Sequence, residues 1–141
     1  MDAKVNAITD VEREWVAGQL AAAGRFVADY GSPRHPAGLD ALDHAWASWL
    51  DRQSVDPEDP NTVINAVGVA FGQALVDSGF AWVIAEDADG TDLAVFCLPG
   101  AGDVLVYPAN LVAKRYEARE QQFLQATHDA ILAELAQLRE Q

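Results

Sequence analysis

Lys114 and Arg115 form the one basic cluster in the second half of the chain, and their side chains are well suited to bind a small ligand. An arginine binds a carboxylate or a phosphate through two parallel hydrogen bonds, and a lysine adds a point charge. The pair therefore predicts an anion-binding spot. An internal ion pair, with Glu117, with Glu120 or with an acidic turn, explains the same residues, and we favour this second interpretation.

Asp87, Asp89 and Asp92 are the second group of candidate binding residues. A calcium loop of the EF-hand type needs acidic ligands at alternate positions, glycine at the sixth and glutamate at the twelfth. In the segment that starts at Asp87, Gly90 is the fourth residue and Leu98 the twelfth. An Asp-Gly turn between two strands explains the pattern with fewer assumptions, so calcium is not expected.

The other residues with catalytic or metal-binding potential form no motif. Of the three histidines, His35, His44 and His128, one has a possible co-ligand at helical spacing, namely Asp40 for His44. A metal would need further ligands from elsewhere in the fold. No serine lies in a Gly-x-Ser-x-Gly elbow, and Cys97 lies in an apolar run that favours a buried thiol. We therefore expect no enzyme activity, no metal and no cofactor.

The composition describes one acidic globular domain, residues 1–141. Half of the 141 residues are hydrophobic and 22% are charged, with 22 acidic and 9 basic side chains and a net charge of −13. No lysine or arginine lies between Gln53 and Ala113. Nucleic acids and anionic membranes bind basic side chains, so neither is an expected partner. The charge serves solubility, or it attracts a basic protein partner.

Targeting signals are not evident in the sequence. The single cysteine allows no internal disulfide, and the first residues lack the basic start and apolar stretch of a signal peptide. No segment approaches the roughly 18 consecutive apolar residues of a membrane span. We therefore expect a cytoplasmic protein.

Apolar residues at helical spacing predict three helices in the first half of the chain. A capping box of Thr9 and Glu12 starts the first helix, predicted over residues 10–30, with an apolar stripe of Val11, Trp15, Ala22, Phe26 and Tyr30. The second follows a loop over residues 31–36 and ends near Ser54, and the third runs from Asp59-Pro60 to Gly79. The tryptophans on these stripes and on the strand that follows are expected in the core: Trp15, Trp46, Trp49 and Trp82.

Two glycines, Gly68 and Gly72, lie four residues apart on the third predicted helix and so share one face. A glycine inside a helix costs about 1 kcal/mol, so both require a reason. The reason we expect is the close approach of a strand or a second helix. A ligand lying against bare backbone is the rarer alternative.

After Gly79 the pattern changes to short apolar runs, which predict strands over residues 80–86, 91–98 and 103–107. Their short connections require an antiparallel meander. Pro108 opens a final helical region in which Leu124, Ile131 and Leu138 are spaced by seven residues. We expect this helix to pack along its own domain, and a weak homodimer through it is the alternative. The predicted class is α+β: N-terminal helices, a three-stranded meander and one or two C-terminal helices packed on it.

Four segments carry a resemblance to a known family: residues 67–75 (VGVAFGQAL), 82–83 (WV), 91–95 (TDLAV) and 107–115 (YPANLVAKR). They resemble the bacterial family called domain of unknown function 3806, over about residues 37–120, which leaves 121–139 as a C-terminal helix. The resemblance implies a small α+β domain without an established activity, substrate or cofactor. The positions it selects for testing are Gly68, Phe71, Gly72, Lys114 and Arg115.

Two functions remain open. The first is a non-catalytic protein-interaction module that binds a basic partner, as immunity proteins or antitoxins do, with an association rate that falls as salt rises. The second is an anion-binding domain with a concave site at Lys114 and Arg115. That second function fails if an internal carboxylate fully occupies the Arg115 guanidinium.

Overall fold

Helices and one antiparallel sheet form the fold in the computed structural model, which describes residues 4–32, 38–52, 59–88, 90–97 and 104–139. The described elements are, in order, β1 (Lys4–Ala7), α1 (Asp10–Tyr30), α2 (Gly38–Asp51), α3 (Pro60–Asp77), β2 (Ala81–Asp87), β3 (Gly90–Cys97), β4 (Val104–Val106), α4 (Pro108–Glu117) and α5 (Leu124–Arg139). The predicted α+β class is confirmed. The predicted number of strands was wrong, because the sheet has four strands in the order β1-β2-β3-β4.

Strand β1 is the element that the sequence patterns missed. Its four residues, KVNA, include one half-buried side chain, Val5, so no alternation of apolar and polar residues marks it as a strand. It becomes a strand by pairing with β2 in antiparallel register, with Lys4 opposite Glu86 and Ala7 opposite Val83. Strand pairing across three intervening helices cannot be read from local sequence.

The helix ends follow the predicted caps. At the start of α1, the Thr9 N–H donates to Glu12 Oε1 at 3.1 Å, which is one half of the capping box. At the start of α3, Asp59 Oδ1 accepts from the Asn61 N–H at 3.0 Å, and Pro60 takes the first helical position. Gly79 ends this region with a positive φ of 115°. Helix α2 ends at Asp51, slightly before the predicted end.

The core lies between α3, the other helices and one face of the sheet. Trp46, Trp49, Phe71 and Leu75 are fully buried in it, and Tyr116 stacks on Trp49 at a centroid distance of 5.7 Å. The predicted stripe of α1 was wrong at its first two residues, since Val11 and Trp15 are 74% and 43% exposed. The buried residues of α1 begin only at Val16 and continue with Ala23 and Phe26, so the first turn of the helix lies outside the core.

The sheet is apolar on both faces. Trp82, Val95, Cys97, Val104 and Val106 belong to the main core on the helical side. The opposite face carries a second, smaller cluster built on Val83, Ala85 and Ala94, with Val5, Phe96, Leu105 and Tyr107 packed around them. Cys97 is buried, as predicted. In the described part of the chain, no helix is both long enough and apolar enough to cross a membrane.

Candidate functional site

Lys114 and Arg115 lie on α4 and line a cavity of about 550 Å³ between α4, α5 and β4. The cavity also has polar groups from Asn110 and Thr127, and its remaining wall is largely apolar, with Ile131 on the α5 side. Cationic and polar groups beside an apolar wall are a combination suited to an amphiphilic anion. A concave surface thus lies beside this pair.

The Arg115 side chain already has an internal partner. Its Nη1 lies 2.8 Å from Glu120 Oε2, with the two side chains 40% and 43% exposed, so this ion pair is screened by solvent and weak. The preferred interpretation of an internal pair with Glu120 is thus met for Arg115. The hydrogen bond to Glu120 uses one of the five N–H donors of the Arg115 guanidinium. An internal carboxylate therefore does not fully occupy this side chain, which is the condition under which anion binding would fail. Lys114 is exposed and forms no ion pair with any described residue.

The acidic candidates lie at the far end of the β2–β3 hairpin. Asp87 and Asp92 are exposed and line a second cavity of about 370 Å³ together with Thr91, Tyr107 and Asn110. Asp89, the third candidate, lies outside the described residues. The Asp92 carboxylate accepts from the Leu93 N–H at 2.9 Å, a local bond that leaves its charge facing solvent.

Tyr107 connects the two cavities. It lines both of them, as does Asn110, so the acidic and basic candidates lie on adjacent surfaces. The Tyr107 hydroxyl donates to Asp87 Oδ2 at 3.4 Å. Burial, then the charge of Asp87 and this hydrogen bond, and then the charge of Asp92 raise the pKa of Tyr107 above its ordinary value.

Tyr107 and Asn110 are site residues that the sequence analysis missed. Their spacing in the sequence could have indicated them. Asn110 lies four residues before Lys114, so the two share one face of α4, and Tyr107 lies three residues before Asn110 at the start of the same helix. The charge of Lys114 predicts anion binding, whereas a neutral tyrosine or asparagine does not by itself indicate a particular ligand.

Gly68 and Gly72 are explained by packing rather than by a ligand. A Cβ on Gly68 would lie 2.7 Å from Ala109 Cα, and one on Gly72 would lie 2.5 Å from the Trp82 ring and 2.8 Å from Pro108. The expected close approach is confirmed: α4 lies directly on α3. Two segments of the family resemblance, residues 67–75 and 107–115, therefore contact each other, and this contact fixes α4 and with it Lys114 and Arg115.

The histidines have structural partners. His44 Nε2 lies 3.7 Å from Asp40 Oδ1, and His128 lies between Ser78 Oγ at 3.3 Å and Asp129 Oδ1 at 3.2 Å. His35 lies outside the described residues. Within those residues, no group of three or more histidine, cysteine, aspartate or glutamate side chains is arranged to hold a metal.

A further cavity of about 400 Å³ lies between α1, α2 and α3. Its walls are mainly aliphatic, including Leu20, Val27 and Leu42, and Asp77 is the charged residue among those that line it. None of the candidate residues reaches it. Its chemistry resembles an imperfectly filled seam between helices more than a site with convergent polar groups.

Comparison with known proteins places the chain in a family. Residues 43–126 match the family described as Domain of unknown function (DUF3806). The match covers more than half of the chain, so the protein belongs to this family, and it includes most of α2, all of α3, β2, β3, β4 and α4, and the start of α5. No curated protein matches the chain. No solved structure matches it.

Proposed function

We propose that the protein is a non-catalytic interaction domain that binds a basic partner protein through the acidic end of its sheet. This acidic end consists of Glu86, Asp87 and Asp92, all exposed at the end of the β2–β3 hairpin. The observation that supports the proposal is the absence of lysine and arginine from residues 53–113, the stretch that contains these strands. The nearest basic residue along the sheet is Lys4, opposite Glu86 in register, and it forms no ion pair with any described residue.

Electrostatics favours a protein partner over a small cation. Among the described residues, no three acidic, histidine or cysteine side chains are grouped to hold a metal ion, although Asp87 and Asp92 line one cavity. The net charge of −13 produces a field that extends over several ångströms. Such a surface accelerates encounter with a lysine- or arginine-rich protein, and salt screens the attraction. The family description assigns no activity that competes with this proposal.

The test begins with a pull-down from the source lysate at low salt, elution by a salt step and mass spectrometry of the eluate. The isolated partner is then measured against the double variant Glu86→Gln/Asp92→Asn, with Glu14→Gln/Asp29→Asn on the exposed face of α1 as the control of equal net charge. We expect the sheet variant to slow association several-fold and the control to leave it almost unchanged. Absence of a salt-released partner, or equal effects of both double variants, would contradict the proposal.

A second function is favoured by the cavity at Lys114 and Arg115, namely binding of a small anion. Citrate is a suitable probe in a thermal-shift assay, because binding to the folded state raises the melting temperature. Arg115→Ala should abolish the shift. Glu120→Gln is the matched control: it breaks the same ion pair but leaves the guanidinium in place, so it should increase the shift. A shift that survives Arg115→Ala, or no shift at all, rejects this function.

A bacterial, cytoplasmic origin is also part of the proposal. The bacterial assignment rests on the family resemblance, and the cytoplasmic one on the single cysteine, Cys97, which is buried and has no second cysteine to form an internal disulfide.

A further inference from the structure

A groove follows the outer edge of β4. A cavity of about 340 Å³ between β4 and α5 shares Leu105, Val106 and Ile131 with the larger cavity at Lys114. Because the two cavities share these residues, they lie next to each other along β4, and we call the pair the groove. It runs from Lys114 and Arg115 on α4 to Leu138 near the end of α5.

The backbone of β4 lines this groove with its free edge. β4 is the last strand of the sheet, and no described strand pairs with its other edge. Val104, Leu105 and Val106 all line the groove, although successive side chains of a strand point to opposite faces of the sheet. A groove that all three residues line must therefore lie along the edge of the strand. Such an edge presents backbone N–H and C=O groups to an incoming chain.

The two ends of the groove carry opposite charge. Lys114 and Arg115 lie at the end next to α4, and Glu134 lies on the α5 wall toward the other end. The α5 wall also carries the apolar side chains of Ile131 and Leu135. This distribution matches an extended peptide whose carboxylate lies at the α4 end and whose preceding residues carry apolar side chains.

A chain terminus fits the α4 end better than a continuing chain does. Only Tyr107 separates β4 from Pro108, the first residue of α4, so α4 stands at the end of the strand. Lys114 and Arg115 at that end suit a carboxylate, which a chain terminus carries on its backbone and a continuing chain does not. The three residues of β4 span about 10 Å, which is enough to pair with a short tail of about four residues.

We propose that this groove binds the carboxyl-terminal tail of a partner protein as an added strand on β4, with the terminal carboxylate at Lys114 and Arg115. Backbone pairing supplies the affinity of such strand addition, and alternate side chains with the terminal carboxylate supply the specificity. The inference rests on the second proposed function, the binding of an anion at Lys114 and Arg115, and identifies this anion as a peptide's terminal carboxylate. It does not depend on the proposal that the acidic end of the sheet binds a basic protein.

The test selects tails from a peptide library with the full-length protein. Peptides with about four randomised C-terminal residues are prepared with a free carboxylate and, separately, with a terminal amide. We expect enrichment of apolar tails from the free-acid library only. The best free-acid peptide should bind about tenfold more weakly to Lys114→Glu and with unchanged affinity to Arg25→Glu, an equal charge reversal at an exposed position of α1. No enrichment, or the same enrichment from the amide library, overturns the inference.

A second measurement separates strand addition from simple anion binding. The selected peptide is resynthesised with N-methyl groups on alternate amides, which blocks pairing along one edge while the carboxylate is kept. We expect binding to weaken at least about tenfold, and amide chemical-shift changes to fall on Val104–Val106 rather than on Lys4–Ala7, the other sheet edge. If N-methylated peptides bind equally well, strand addition is wrong while anion binding stands. If citrate also gives no thermal shift, anion binding at this pair is wrong as well.

Discussion

Asp43 Oδ1 accepts a hydrogen bond from the Leu124 N–H at 2.8 Å, and thereby ties α2 to the first residue of α5. Its Oδ2 accepts from the Gln125 N–H at 3.0 Å. Asp43 is 3% exposed and is the buried charged residue among those the structure describes. Its carboxylate satisfies two N–H groups that α5 leaves without partners and places negative charge at the positive end of the helix dipole. A residue of α2 thus determines where α5 begins.

Asp43→Ala is expected to lower the free energy of unfolding by about 2–3 kcal/mol, because it removes a buried cap and leaves two N–H groups unsatisfied. Urea denaturation measures the change. Asp40→Ala removes an exposed carboxylate from the same helix and should cost less than about 1 kcal/mol. If both variants lose the same free energy of unfolding, the hydrogen bonds from Asp43 to α5 do not stabilise the protein.

Substitution by alanine should destabilise the protein at the two close-packed glycines, Gly68 and Gly72, and stabilise it at Gly18, which has open space around it. Gly68→Ala and Gly72→Ala force a Cβ against Ala109 and Trp82, which costs about 1–3 kcal/mol and exceeds the gain in helix propensity. Gly18→Ala in α1 meets nothing within 4 Å and should stabilise by about 0.5–1 kcal/mol. The prediction fails if thermal unfolding gives the same sign at all three sites.

A comparison of Trp46 with Trp49 measures how much one buried hydrogen bond contributes to the free energy of unfolding. Both are fully buried, and the Trp46 Nε1–H donates to the Glu120 carbonyl at 2.8 Å, whereas Trp49 Nε1 has no partner among the described residues. Phenylalanine leaves a cavity at either position, but only Trp46→Phe also removes a hydrogen bond. We expect Trp46→Phe to cost about 1 kcal/mol more than Trp49→Phe in urea denaturation. The reverse order would contradict this assignment.

Tyr107 provides a pH-dependent test of the acidic end of the sheet. Its pKa is raised in the folded state, so the protein binds the tyrosine proton more tightly than the unfolded chain does. The resulting stabilisation is complete below the unfolded pKa and is lost as pH rises through the folded pKa. Asp87→Asn should lower the pKa of Tyr107, and Asp92→Asn should lower it less, since Asp92 acts only through its charge.

Ring-carbon NMR of Tyr107 during a pH titration measures this shift residue by residue. If neither variant changes the titration, the carboxylates do not act on the Tyr107 hydroxyl.

Local patterns were sufficient wherever a signal and its consequence lie a few residues apart. The Thr9–Glu12 capping box and Asp59-Pro60 predicted the starts of α1 and α3, because a cap acts within one turn of helix. The spacing of Gly68 and Gly72 predicted a close approach on one face of α3. That the approaching element is α4 depends on the path of the chain and could not be predicted from spacing alone.

The candidate site was predictable in part. Lys114 and Arg115 were found by their chemistry, and Glu120 as a partner by its proximity in sequence. The cavity they line was not predictable in shape, since β4 and α5 form its other walls. The exposure of Trp15 shows the same limit, because apolar spacing marks a helix face but not whether another element covers it.

The sequence by itself determined the helices, three of the four strands, the acidic character and the membership of the DUF3806 family. Only the tertiary structure decided that β1 joins the sheet, that Asp43 caps α5, and that β4 is the last of the described strands and borders a cavity with α5. The physical reason is the separation in sequence over which each interaction acts. Propensity and capping act over neighbouring residues, whereas strand pairing, burial and cavities depend on groups that only the folded chain brings together.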